Sequence, residues 1–199
     1  MKEKILQENS SVNEANTSAN KIFTIPNLLS LFRICLIPII VWLYYAKNSP
    51  LWTGVVLTFS GLTDIVDGYI ARHFHMTSNL GKVLDPVADK LTQATVLLCL
   101  LSRFPKMLYL LIIFILKELI MGTTGMAVIR KTGNVYGANW HGKVTTCLLY
   151  GMMLLHIVWY DIPLSLSNFL LTVCFSMMMV SLVFYVVRNL KALKGREDL

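Results

Sequence analysis

Four aspartates, Asp64, Asp67, Asp85 and Asp89, lie close together in a sequence that is otherwise mostly apolar. The first two are three residues apart and the last two are four apart, so each pair shares one face of a helix with 3.6 residues per turn. Ionised carboxylates in apolar surroundings repel one another and need a compensating cation. We therefore predict a divalent metal site. Aspartates that only cap helices and pair with neighbouring basic residues are the structural alternative.

The ligand types indicate which metal such a site would hold. No cysteine lies near the four carboxylates, and the nearest histidines, His73 and His75, fall in the connection between two predicted helices. Carboxylate oxygens suit Mg²⁺, Mn²⁺ or Ca²⁺, whereas Zn²⁺ and Cu⁺ prefer nitrogen and sulfur. Several carboxylates can hold two ions about 3.5–4 Å apart, and such sites clamp phosphoryl groups during displacement. The residues therefore favour phosphoryl transfer.

Two glycines accompany the aspartates. Gly68 directly follows Asp67, and Gly81 lies one helical turn before Asp85. A missing side chain lets another surface approach the backbone closely. Helix glycines in membranes also serve close helix packing, but beside four acidic residues we interpret these two as room for a nucleotide.

The elements that position these residues are apolar segments long enough to cross a hydrocarbon core of roughly 30 Å. Hydrophobic residues make up 55% of the 199 residues and charged residues only 15%, more apolar than a soluble domain of this size needs for its core. We predict an all-α integral membrane protein with six transmembrane helices. The predicted spans are 27–45, 51–70, 86–101, 106–129, 142–160 and 164–187.

The domain organisation follows from the segments that flank these spans. Residues 1–21 are polar and rich in Ser and Asn, which predicts a disordered tail. Residues 22–190 form one six-helix domain, and residues 191–199 form a basic C-terminal tail.

The basic residues outside the spans predict the orientation. One side holds Lys2, Lys4, Lys21, Arg72, Lys82, Arg130, Lys131, Lys143, Arg188, Lys191, Lys194 and Arg196, and the other side holds Lys47, Arg103 and Lys106. Both termini are therefore expected in the cytoplasm, with the aspartates around a polar cavity at the cytoplasmic side. The net charge of +7 is then a topology signal and an attraction to anionic lipids. Nucleic-acid binding explains it poorly.

The aspartate segment resembles a known signature. It reads D-x-x-D-G-x-x-A-R-x(8)-G-x-x-x-D-x-x-x-D and is similar at every fixed position to that of the CDP-alcohol phosphatidyltransferases. The stretches IPNLLSLFRICLIP and GNVYGANWHGKVTT look like the corresponding parts of bacterial phosphatidylglycerophosphate synthases within that family. The resemblance covers residues from about Ile25 to Arg188 and also implies six spans with cytoplasmic ends.

The resemblance implies transfer of the phosphatidyl group of CDP-diacylglycerol to an alcohol, with release of CMP. Two Mg²⁺ or Mn²⁺ ions are expected, and Asp89 would act both as a ligand and as the general base on the acceptor hydroxyl. The implied metal ligands are Asp64, Asp67, Asp85 and Asp89. The implied CDP-binding residues are Asp64, Gly68, Ala71, Arg72 and Gly81. A carboxylate base one turn from a metal ligand also makes chemical sense, because nearby cations keep it ionised.

Glycerol 3-phosphate is the acceptor that we favour, because the GNVYGANWHGK stretch resembles the glycerophosphate enzymes. Basic residues should face its phosphate, and the candidates are Lys143, Arg130, Lys131, His141 and Arg33. For Arg130 and Lys131, anchoring at the positive side is an equal alternative. Glu118 needs a partner at mid-span; because Lys117 should point elsewhere on the helix, we expect Arg33 to be that partner.

Inositol phosphate, serine and choline remain open as other acceptors, and two other functions also remain open at this stage. Cardiolipin synthases of the same family use phosphatidylglycerol as acceptor, and GLTDIVDGYIAR resembles their motif too. In a different class, acidic residues within a membrane can mark an ion transporter. The family resemblance further implies a homodimer in the cell (inner) membrane, with helices three and four nearest the partner.

Overall fold

The computed structural model describes the backbone of residues 25–73, 81–132 and 140–193, and the side chains of residues 27–66, 73, 84–131 and 140–193. The predicted disordered tail, residues 1–21, lies outside the described residues. So do residues 194–199 of the predicted basic tail.

The described residues form six α-helices, as predicted. Their bounds are α1 Ile25–Tyr45, α2 Pro50–His73, α3 Gly81–Leu101, α4 Met107–Thr132, α5 Trp140–Val158 and α6 Leu164–Leu193. Between α1 and α2, Asn48 adopts a left-handed backbone conformation with φ of 44°, which asparagine tolerates better than most residues. Pro50 then begins α2, where its fixed φ suits the first helical turn. The all-helical prediction is confirmed.

Three of these helices are long and apolar enough to cross a membrane, over Asn27–Tyr45, Met107–Lys131 and Leu164–Leu193. Pro50–Val66 of α2 is a shorter apolar stretch. Several apolar helices of this kind are typical of a multi-pass membrane protein. The sixth helix continues beyond the predicted span, so residues 191–193 of the predicted tail are helical.

The chain divides within α3, between Thr95 and Val96, into two compact units. In the first unit, α1 packs against α2, with Leu36, Ile40 and Leu57 buried. In the second unit, α6 packs against both α4 and α5. Buried residues of that core include Leu110, Phe114, Leu149, Met153 and Met178.

Buried polar side chains join the helices of the second unit. His156 lies fully buried in α5, with Nδ1 2.8 Å from the Met152 carbonyl oxygen and Nε2 2.9 Å from the Ser167 hydroxyl of α6. Because a carbonyl can only accept, Nδ1–H donates to it, and in the neutral imidazole Nε2 accepts from the serine. Asn189 of α6 likewise donates to the Thr124 hydroxyl of α4 at 2.8 Å. These bonds satisfy polar groups that would otherwise be costly to bury.

Candidate active site

Arg33 is the centre of the aspartate cluster in the first unit. Its side chain, on α1, is 1% exposed, and its guanidinium donates to the Asp64 carboxylate of α2 and, at 3.1 Å, to the Asp85 carboxylate of α3. The Ser30 hydroxyl, one turn earlier on α1, donates to the same oxygen of Asp85. Two of the four predicted carboxylates, one from α2 and one from α3, therefore contact the same guanidinium of α1.

The donor set of this cluster fits a hard divalent cation. Asp64 and Asp85 supply carboxylate oxygens from two helices, and both side chains stay partly exposed, at 43% and 31%. Arg33 offsets one of their two negative charges, so with both carboxylates ionised the pair keeps a net charge of −1. Among the side chains that the structure describes, no group of three His, Cys, Asp or Glu residues forms a metal cage. The predicted ligand Asp67 has its side chain outside that set.

Asp89 occupies a different environment on α3. Its carboxylate lies one helical turn before Gln93, whose amide nitrogen is 3.2 Å from Oδ1 and 3.1 Å from Oδ2. The Lys90 ammonium is 3.8 Å from Oδ2. Gln93 is fully buried, whereas the Asp89 side chain retains 16% exposure. A partly exposed carboxylate is thus held from its buried side by an amide.

The predicted CDP-binding residues other than Asp64 fall where only the backbone is described. Gly68, Ala71 and Arg72 are helical residues of the last part of α2, and Gly81 is the first residue of α3. The contacts of their side chains lie outside the described residues, so these assignments stay predictions.

Three of the predicted acceptor-binding residues take distinct environments in the second unit. Lys131, in the last turn of α4, donates to the Leu193 carbonyl at the end of α6, which satisfies a terminal helix carbonyl. Arg130, beside it, is exposed, and Lys143 of α5 is exposed as well. Lys131 therefore has a structural partner, whereas Arg130 and Lys143 present their charges to the surroundings.

His141, at the start of α5, is packed among aromatic side chains of α6. Its ring stacks on Phe184 at 5.2 Å and meets Tyr185 edge-on at 5.2 Å. Burial, and then the Arg188 guanidinium, lower the pKa of His141 below its usual value, so the imidazole is neutral near pH 7. Its Nδ1 is buried with no hydrogen-bond partner among the described residues. His141 thus offers a hydrogen bond rather than a permanent charge.

Lys117 and Glu118 correct one expectation. The Lys117 ammonium lies 2.7 Å from Glu118 Oε1, so the two adjacent residues form an ion pair. The expectation that Lys117 points away from Glu118 is wrong, because a long lysine side chain can curl round the helix to its neighbour. Arg33 contacts Asp64 and Asp85, and its expected pairing with Glu118 stays a prediction. Its predicted acceptor role stays untested.

Three side chains near the predicted residues were not anticipated from the sequence. Ser30 binds Asp85, Gln93 binds Asp89, and Arg188 lies over the Tyr185 ring at 4.8 Å. Gln93 could have been identified, because it follows Asp89 by four residues and so shares its helix face. Arg188 follows Tyr185 by three residues on α6, so the same rule could have found that contact. The Ser30 contact depends on packing between helices, which no local pattern encodes.

Comparison with known proteins gives a consistent result. The model of the CDP-alcohol phosphatidyltransferase family matches residues 23–188. The chain is 32% identical over 151 residues to a cardiolipin synthase (CMP-forming) of Streptomyces coelicolor, covering 72% of this chain and 70% of that protein.

Two further relatives carry another name, CDP-diacylglycerol--glycerol-3-phosphate 3-phosphatidyltransferase. The one from Bacillus subtilis is 32% identical over 166 residues, covering 74% of this chain and 83% of that protein. The one from Pectobacterium atrosepticum is 36% identical over 130 residues, covering 62% and 71%. The resemblance inferred from the aspartate signature is confirmed.

Removal of the Arg33 charge should destabilise the first unit. Arg33→Met keeps most of the side-chain volume but leaves two carboxylates to repel each other, so we expect the free energy of unfolding to fall by about 1–3 kcal/mol. EDTA removes divalent metal ions, so unfolding in detergent with EDTA present measures the effect of the Arg33 contacts with the two carboxylates alone. Lys47→Gln is the control, because Lys47 is exposed and its described side-chain contact is with the Trp42 ring, at 5.2 Å. Equal losses in the two variants would contradict the central role of Arg33.

A methyl group on Gly142 should disturb the His141 environment. A Cβ at this position would come 2.7 Å from the Tyr185 hydroxyl, and overpacking of this kind costs about 1–3 kcal/mol. We therefore expect Gly142→Ala to lower the unfolding temperature in detergent. Gly151→Ala, on the same helix, meets nothing within 4 Å and should be neutral or stabilising, by up to about 1 kcal/mol. A stabilised Gly142→Ala protein would contradict this packing.

Proposed function

The chain belongs to the CDP-alcohol phosphatidyltransferase family, and from that membership we propose that it transfers the phosphatidyl group of CDP-diacylglycerol to glycerol 3-phosphate. The products are phosphatidylglycerophosphate and CMP. The observation that carries the proposal is the convergence of Asp64 and Asp85 on Arg33, inside the segment that matches the family. Relatives named for the glycerol-3-phosphate reaction align over most of their own length, which supports this acceptor.

Asp89 is the general base in this proposal. The acceptor hydroxyl oxygen forms a bond to the phosphorus of the phosphatidyl group while the pyrophosphate P–O bond to CMP breaks, and the hydroxyl proton passes to the Asp89 carboxylate. The partial exposure of Asp89 supports this role, because the base must be reachable within hydrogen-bonding distance of the hydroxyl. The Lys90 ammonium lies 3.8 Å from Oδ2 of the same carboxylate.

Asp64, Asp67, Asp85 and Asp89 would hold Mg²⁺ or Mn²⁺ in a two-ion site. Members of this family generally use divalent metal ions. When bound, the metal would neutralise charge on the pyrophosphate and on the leaving CMP. The protein itself orients the Asp64 and Asp85 carboxylates, because Arg33 and Ser30 of α1 donate hydrogen bonds to them. Arg72 would contact a phosphate oxygen, and Gly68, Ala71 and Gly81 would leave space for the cytidine.

We assign the acceptor phosphate to the basic residues at the end of α4 and the start of α5, in the second unit. Arg130 and Lys143 are exposed there, and His141 has a buried nitrogen without a described partner. We add Arg188, which lies on the same side of α6 as Tyr185, to these candidates. A phosphate dianion would accept hydrogen bonds from such groups, and a charge-assisted bond is roughly twice as strong as a neutral one. Lys131 is a weaker candidate because it binds the end of α6.

Cardiolipin synthesis is the second candidate. The Streptomyces coelicolor relative carries that name and aligns over 72% of this chain. Its acceptor would be phosphatidylglycerol, which brings a phosphodiester in place of a phosphate monoester. Both reactions share the aspartate site and release CMP, so only the acceptor separates them.

The membrane arrangement belongs to the same proposal. Six spans with both termini in the cytoplasm would place the aspartates in a polar cavity open to the cytoplasm and the inner leaflet of the cell membrane. The bias of basic residues towards one side supports this orientation. Homodimerisation through helices three and four is proposed from the family resemblance alone.

The acceptor is best tested with purified protein and CDP-diacylglycerol. We expect CMP release with glycerol 3-phosphate in the presence of Mg²⁺ or Mn²⁺, and none after addition of EDTA, because the carboxylates need cations to bind a pyrophosphate. Phosphatidylglycerol and inositol phosphate are tested in parallel. CMP release that requires phosphatidylglycerol would move the assignment to cardiolipin synthesis. Metal-dependent ion flux in liposomes without CMP release would instead indicate a transporter.

Substitution of single aspartates should distinguish a loss of catalytic turnover from a loss of metal and nucleotide binding. Asp89→Asn removes the base, so turnover should fall by about 10²–10⁴-fold while much of the nucleotide binding remains. Asp64→Asn should lose Mg²⁺ and CDP-diacylglycerol binding together, and Asp67→Asn should do the same. Calorimetric binding of CMP with Mg²⁺, measured beside turnover, distinguishes the two outcomes. Near-normal turnover of Asp89→Asn would exclude Asp89 as the base.

A further inference from the structure

We propose that Gln93 is a positioning residue that fixes the orientation of the Asp89 carboxylate during turnover. This inference rests on the proposed function, in which Asp89 takes the proton of the acceptor hydroxyl. Gln93 belongs to no part of the aspartate signature and carries no charge. Its contact with both oxygens of Asp89 is what assigns the role.

One amide group of Gln93 contacts both oxygens of the Asp89 carboxylate, and we call this contact the clamp. The Gln93 amide nitrogen is almost equidistant from the two carboxylate oxygens, at 3.2 and 3.1 Å. A donor placed midway between two oxygens resists rotation of the carboxylate about its Cβ–Cγ bond, because rotation would lengthen at least one of the two contacts. An ionised carboxylate has further lone pairs besides those that face Gln93. One of these can accept the hydroxyl proton.

The chemistry of the amide settles which of its ends faces Asp89. An ionised carboxylate only accepts hydrogen bonds, so the amide oxygen would be repelled from it and the NH₂ group must lie on that side. In the proposed step, the acceptor oxygen bonds to phosphorus, the P–O bond to CMP breaks, and the proton passes to Asp89. Proton transfer requires the base within hydrogen-bonding reach of the hydroxyl. A fixed carboxylate meets that requirement without reorganising during the reaction.

The burial of Gln93 argues against a purely structural role. The side chain is fully buried, and its Oε1 has no hydrogen-bond partner among the described residues. A buried acceptor without a donor lowers stability, whereas an apolar side chain of similar size at that place would not carry this penalty. Residues that are unfavourable for folding at a site commonly serve its function.

Gln93→Met is the variant that tests the role. Methionine has a similar length and no polar group, so it removes the clamp and also the unsatisfied oxygen. We expect kcat to fall about 10–100-fold, the range that a misplaced catalytic group produces. KM for CDP-diacylglycerol should stay within about twofold, since Asp64, Asp67 and Asp85 are also assigned to the metal ions that hold the pyrophosphate, whereas Asp89 alone is assigned as the base. The unfolding temperature in detergent should be unchanged or higher.

Two further variants accompany it. Gln93→Glu keeps the shape but places carboxylate oxygens against Asp89, so it should lower kcat at least as much as Gln93→Met. Thr92→Val is the matched control, because Thr92 is also buried on α3 and, among the described residues, its hydroxyl donates to its own helix, at the Ala88 carbonyl 2.9 Å away. That control should keep kcat within about twofold of the parent protein.

The possible results separate the proposals from one another. A lower kcat with unchanged KM, unchanged calorimetric CMP binding and an unfolding temperature that does not fall supports the positioning role. A kcat equal to that of the parent overturns it. So does a loss of activity that follows a lower unfolding temperature, or one that saturating CDP-diacylglycerol or Mg²⁺ restores. If the parent protein itself releases no CMP with any acceptor, the proposed function fails and the role of Gln93 fails with it.

Discussion

A single buried guanidinium makes the aspartate cluster possible. Arg33 is 1% exposed and binds carboxylates from two other helices. Two unit charges about 4 Å apart repel by about 4 kcal/mol at the effective dielectric of a protein surface, and by more in drier surroundings. Without the cation, α2 and α3 would keep Asp64 and Asp85 apart. The placement of the reactive groups thus depends on a residue of α1 that carries no part of the aspartate signature.

The same interaction sets the charge of the Asp64 and Asp85 pair. One guanidinium against these two carboxylates, when both are ionised, leaves the pair a net charge of −1, which attracts a cation and repels a bare pyrophosphate. A diphosphate substrate would therefore bind well only together with hard cations, which agrees with the metal dependence proposed for the reaction. Arg33 also explains why the carboxylates can stay near each other before a substrate arrives. Its rigid, planar fork directs separate N–H donors at the two carboxylates, whereas a lysine ammonium is a compact point charge without that fixed geometry.

The sequence alone identified the helices and the acidic pairs, because both follow local periodicity. Helix bounds agree with the predicted spans to within three residues, except at the start of α3 and at the end of α6. At these two places the helical turns have polar sequence, which concealed them. The sequence also indicated that Arg33 needs a reason to lie within a span, and the Asp64 and Asp85 carboxylates supply one. The expectation that Lys117 points away from Glu118 was wrong, because a long side chain reaches beyond the helix face that spacing assigns to it. The contact between Gly142 and Tyr185 was invisible for another reason, since only packing of α5 on α6 creates it.

Buried polar groups in this protein fall into two kinds, and the difference bears on function. His156 with Ser167, and Asn189 with Thr124, satisfy each other and join helices. Gln93 instead retains a buried acceptor without a described donor, while its other end holds a partly exposed carboxylate. A polar group that is fully satisfied can be explained by folding alone. One that lowers stability while orienting a reactive side chain needs a second explanation, and the position of Gln93 behind Asp89 supplies it.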